Sequence, residues 1–134
     1  MNRKNILTEL MELLSGIDLH ASLVDEIIDI IAKSGNEPQI FKQFKKLLRI
    51  LLALGINAVQ HLEFERLNET LYSMHIDGKG YNLRILYAFL SSGTPTLLLC
   101  FYEREGKRVT DYTTYLDPAK ARLKERLEAT ENGE

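Results

Sequence analysis

The chain has 134 residues, 17 of them basic and 19 acidic, a length that suits one compact domain and excludes two of ordinary size. A domain of this size buries roughly two-thirds of its unfolded surface, so its core needs no disulfide or metal staple. The net charge of -2 is less basic than that of a dedicated RNA binder, and no apolar run approaches the length of a membrane span.

The N-terminus is basic, but Glu9 and Glu12 interrupt the apolar residues that follow it. Ile6, Leu7, Leu10, Leu13 and Leu14 recur at helical spacing, so residues 4–15 read as an amphipathic helix ended by Ser15-Gly16 and not as a signal peptide. A cytoplasmic protein is expected. Residues 17–23 are ambiguous between a short edge strand and a loop. Val24, Ile27, Ile28 and Ile31 form the stripe of a second helix, with Asp25, Glu26 and Asp29 facing water and residues 33–36 stopping it. A third helix begins near Pro38, where proline suits the first turn, and runs to about Leu54 with Gly55 as its cap. Its apolar stripe is Phe41, Phe44, Leu47, Leu48, Leu51 and Leu52; Lys42, Lys45, Lys46 and Arg49 lie mostly away from it. That basic flank suits a nucleic-acid backbone, an acidic protein or water alone.

Residues 56–70 read as a connection with strand character around 62–67. The stretch 71–104 then carries three strands. Tyr72, Met74 and Ile76 alternate with Ser73, His75 and Asp77 before the turn Asp77-Gly78-Lys79-Gly80. Leu83, Ile85, Tyr87 and Phe89 alternate with Asn82, Arg84, Leu86 and Ala88. If the two pair as a hairpin, His75 and Arg84 share the face opposite the core. Residues 96–102 are almost unbroken apolar, which predicts a strand buried on both faces. Its single cysteine, Cys100, reads as a small core residue in a reducing compartment. Residues 109–116 have the composition of a fourth strand or an extended arm. Asp117-Pro118 predicts the start of a C-terminal helix with Ala119, Leu123 and Leu127 inward.

Charge is unevenly spread. Residues 1–37 hold seven acids against Arg3, Lys4 and Lys33, while residues 38–110 hold ten bases against six acids. There is no phosphate-cradling glycine loop and no Cys/His pattern at zinc spacing, and His20, His61 and His75 are far apart, so no metal or cofactor is expected. Catalysis, if present, falls to Arg, Lys, Tyr and His on the open sheet face. Such groups suit RNA cleavage: a base for the 2′-hydroxyl, cations for the charge on the phosphorane, an acid for the leaving 5′-oxygen.

Leu71-Tyr72 followed by Ile76, then Tyr81, Arg84-Ile85-Leu86-Tyr87 and Phe89, resemble the "LYELRI … YRILYFF" core of RelE/HigB-type toxins. Gly93, Leu97-Leu98-Leu99 and Phe101 are similar to that family's "G…VLLHGF" strand, and the likeness extends over about residues 20–128. The resemblance implies a single α+β domain over 1–134, with residues 1–16 as a helical extension. A small antiparallel sheet of about four strands would carry a helical hairpin on one face and RNA on the other. It also implies the toxin of a type II toxin–antitoxin pair: an mRNA endoribonuclease working without a metal, often on the ribosome, and silenced by a cognate antitoxin. Carried over by position, Arg84 contacts the scissile phosphate and Arg104 takes one place of a basic pair. Lys107 and Arg108 follow in a basic turn, and Tyr112 or Tyr115 supplies an aromatic. Lys45 and Lys46 are further candidates for RNA.

The departures are specific. Ser73-Met74-His75 stands where the family has "ELR", Glu103 replaces the other basic residue of the pair, and Asn82-Leu83 adds one residue before Arg84. Two lost cations imply either a changed mechanism, with His75 moving the proton, or a protein that has lost nuclease activity. The second alternative is a RelE/ParE-like binding protein, acting on a topoisomerase or only holding an antitoxin. Arg84 also has a plain structural reading, as a cross-strand partner of Asp77 or Glu103. The extra helix leaves three roles open: blocking the sheet face, extending the helical layer or making a homodimer.

Overall fold

The computed structural model describes residues 2–103 and 111–131. Among these residues the fold is α+β, with four α-helices and one five-stranded sheet. Helix α1 spans Arg3–Leu13 and is capped by Asn2, whose side chain accepts from the Asn5 N–H. Strand β1 is Asp18–Leu19, and α2, Ser22–Ser34, ends at Gly35 with φ +71°. A left-handed residue there closes the helix without the clash a Cβ brings. Helix α3, Glu37–Leu54, carries Pro38 in its first turn and runs into a 3₁₀ turn over Gly55–Gln60. Strands β2 (Phe64–Arg66), β3 (Tyr72–Gly78), β4 (Tyr81–Phe89) and β5 (Pro95–Tyr102) follow, then α4 (Thr113–Glu131).

The sheet order is β1-β5-β4-β3-β2. β2 to β5 are antiparallel neighbours, whereas β1 pairs with β5 in parallel, Asp18 opposite Thr96 and Leu19 opposite Leu97. The expected antiparallel sheet of about four strands is thus a mixed sheet of five. The ambiguous segment before α2 became the parallel edge because the α2–α3 hairpin carries the chain over the face of the sheet before β2 begins.

One face lies under the helices. Tyr72, Met74, Ile76, Leu83, Ile85 and Tyr87 meet α2 and α3, and Ile6, Leu10 and Leu14 bring α1 into the same core. The N-terminal helix is therefore part of the main core. The opposite face is not open as expected: Leu86, Ala88, Leu98 and Phe101 lie under Ala119 and Leu123 of α4. A bulge opposite Leu86/Tyr87 turns both Leu98 and Leu99 toward α4. That accounts for the apolar run of β5, an interior strand buried on both sides.

Helix α4 starts earlier than the Asp117-Pro118 pair suggests. Asp111 accepts from the Thr113 N–H at 3.0 Å, and Tyr115 stacks on Phe101 with centroids 3.7 Å apart. Packing of Tyr112, Tyr115 and Leu116 onto the second core carries the helix upstream and leaves Pro118 inside it. Proline removes one N–H there, which the aromatic stack offsets. Residues 113–116 are thus helix, not strand, and 109–110 lie outside the described residues.

Side-chain ion pairs hold α4 to the rest. Arg122 forks onto Glu26 at 2.7 and 2.8 Å and reaches the Leu98 carbonyl at 2.9 Å, while Glu26 accepts from the Cys100 N–H at 3.0 Å. Arg126 forks onto Asp18 at 2.6 and 3.2 Å. Glu26, expected to face water, is instead the node joining α2, β5 and α4. Cys100 is a core residue, and burial pushes its thiol well above its usual range. Among the described residues no helix is long and apolar enough to cross a membrane.

Candidate functional site

The hairpin register does what the alternation implies. His75 lies directly opposite Arg84, Asp77 opposite Asn82, and Ser73 opposite Leu86. The turn is two residues, Lys79-Gly80, with Gly80 at φ +88°. These side chains stand on the α4 face, beyond its apolar half.

Tyr112 closes over them. Its hydroxyl is 3.0 Å from His75 Nε2 and 3.0 Å from Ser73 Oγ, and its ring meets the edge of Phe101 at 6.0 Å. The Arg84 guanidinium donates to the Asn82 side-chain oxygen and, at 3.4 Å, to the Leu83 carbonyl; Arg84 is 7% exposed. Glu103, 5% exposed, adjoins Asn82, its N–H donating to the Asn82 carbonyl at 2.7 Å.

The imidazole of His75 is lowered from 6.5 to about 4, first by burial and then by the neighbouring Arg84 charge; Asp77 and Glu63 oppose the shift. His75 is therefore neutral at pH 7. A neutral ring beside a cation accepts a proton or holds a hydroxyl in place; it does not arrive as an acid.

Three of the sequence candidates, His75, Arg84 and Tyr112, thus converge from three segments. Lys45 and Lys46 do not join them: both are exposed on α3, in the layer on the other side of the sheet. Arg104, Lys107 and Arg108 lie outside the described residues. Tyr115 is taken up by its stack on Phe101. Ser73 and Asn82 belong to the cluster, although the sequence singled out neither as a site residue. Their signal was the alternation itself, which puts Ser73 beside His75 and Asn82 beside Arg84 on one face.

Among the described residues no cluster of three or more His, Cys, Asp or Glu side chains could hold a metal. No protein-family model matches the chain, and no curated protein matches it.

Proposed function

We propose that the chain is the toxin of a type II toxin–antitoxin pair, cleaving mRNA with the His75–Arg84–Tyr112 cluster. The observation that carries this reading is the hydrogen bond between His75 Nε2 and the Tyr112 hydroxyl beside Arg84. Residues picked from separate stretches for one reaction come within reach of one another. Transfer through the 2′-hydroxyl needs a proton acceptor, a cation and a proton donor. Neutral His75 takes the 2′-hydroxyl proton, Arg84 offsets the charge on the phosphorane, and the Tyr112 phenol gives its proton to the leaving 5′-oxygen. The proton on His75 then passes back to Tyr112 along their hydrogen bond, restoring both groups. Ser73 holds the phenol in place. A cognate antitoxin, and the ribosome as the place where mRNA is met, belong to the same proposal, as does the cytoplasm.

One observation favours a second reading, a binding protein of the same fold that inhibits a topoisomerase or only holds an antitoxin. The Arg84 guanidinium is buried and already bonded to Asn82 and the Leu83 carbonyl, which makes it a strut of the sheet edge. Controlled expression of the wild type and of Arg84→Ala in a bacterium, with mapping of RNA 5′ ends, separates the two. Growth arrest with new mRNA ends, both lost in the variant, is the expected result. Arrest with intact RNA supports the inhibitor, and absence of arrest overturns the toxin reading.

A further inference from the structure

A groove of about 690 Å³ runs between α1 and α3, on the layer away from the His75 cluster. Its floor is apolar, with Phe41 and Leu48 at the base and Leu52 on the α3 side. Leu52 is 54% exposed, whereas Leu47, Leu48 and Leu51 of the same helix are buried and Leu54 at its end is 40% exposed. The two walls carry opposite charge: Glu9 and Glu12 on α1, and Lys42, Lys45 and Arg49 on α3. None of these five charges takes part in an ion pair among the described residues.

We propose that this groove is a self-association surface, covered in solution by the same groove of a second copy. An isologous contact requires a surface complementary to itself. A two-fold axis along the groove sets the acidic α1 wall of each copy over the basic α3 wall of the other, so acid meets base twice. The perpendicular in-plane axis would set acid on acid and base on base. The favourable axis also carries the exposed Leu52 of each copy over the α1 wall of the other, covering the side chain. Two helices about 10 Å wide and about 16–27 Å long give a footprint of several hundred Å² per copy. That is at or below the roughly 800 Å² of a standard interface, so association is concentration-dependent. The inference does not rest on the nuclease reading, because the groove and the His75 cluster are on opposite sides of the sheet.

Sedimentation equilibrium over a concentration series, from micromolar to millimolar, tests it. The wild type should approach twice the chain mass of 15.4 kDa. The pair Glu9→Lys/Glu12→Lys makes both walls basic, and Lys42→Glu/Lys45→Glu/Arg49→Glu makes both acidic. Each should weaken self-association by about tenfold or more. Mixed together, the all-basic and all-acidic variants should form a one-to-one heterodimer. All substituted residues are exposed, and circular dichroism of each variant checks its fold. A wild type monomeric throughout overturns the proposal and leaves the groove to a helix of another protein. A dimer that survives both reversals, or variants that fail to combine, equally overturns it.

Discussion

The two faces of the sheet are built differently. Toward α1, α2 and α3 the strands present Tyr72, Met74, Ile76, Leu83, Ile85 and Tyr87, and the helices answer with side chains such as Ile27, Phe44 and Leu47, all without exposure. Toward α4 only half the surface is apolar. The remainder is Ser73, His75, Arg84 and Asn82, bridged by hydrogen bonds and closed by Tyr112. A face buried by α2 and α3, with α1 packed behind them, excludes water and makes the strongest demand on shape. A face buried by one helix leaves room for polar groups held by specific partners, and that is where chemistry can be placed.

The contrast can be broken most directly through the cores. Phe44→Ala, in the main core, should cost about 3–5 kcal/mol, and Leu123→Ala, under α4, about 2 kcal/mol. Equal losses in urea unfolding would erase the difference between the faces. Next comes the node that ties them together. Glu26→Ala leaves the Arg122 guanidinium and the Cys100 N–H without their acceptor, a loss of about 2–4 kcal/mol. A double-mutant cycle with Arg122→Ala should show strong coupling; additivity would mean that the fork contributes nothing.

His75 sharpens the comparison through pH. Its folded value lies near 4, below the ordinary 6.5, so the unfolded chain takes up the proton first. The stability from the neutral ring is complete above about pH 6.5 and is lost as the pH falls toward about 4. For a part-exposed ring screened by solvent this amounts to about 1–2 kcal/mol. His75→Gln should flatten that slope in denaturant titrations at neutral and mildly acidic pH. A variant with the wild-type slope would remove His75 as the cause. The smallest effect belongs to the surface: Arg3→Ala breaks an exposed pair with Asp29 and should shift stability by less than about 0.5 kcal/mol.

The site was legible in part. His75 and Arg84 were readable as neighbours because a two-residue turn fixes register, and register fixes which residues share a face. That Tyr112 would reach them was suggested by resemblance alone. No local pattern sets residue 112 beside residues 73 and 75. The neutral state of His75 was not readable either, since it follows from burial and from the charge opposite.

What the sequence by itself determined is the local architecture. Apolar spacing near 3.6 placed α1, α2 and α3, glycines marked their ends, and period-two alternation drew β3 and β4 with the right face inward. Only the tertiary structure decided the parallel pairing of Asp18 with Thr96, the start of α4 at Thr113 ahead of the Asp117-Pro118 signal, and the partnership of Glu26 with Arg122. Each of these joins segments far apart in the chain. Periodicity reports which side of an element is apolar, whereas the partner that covers it is chosen by packing and loop closure across the whole fold.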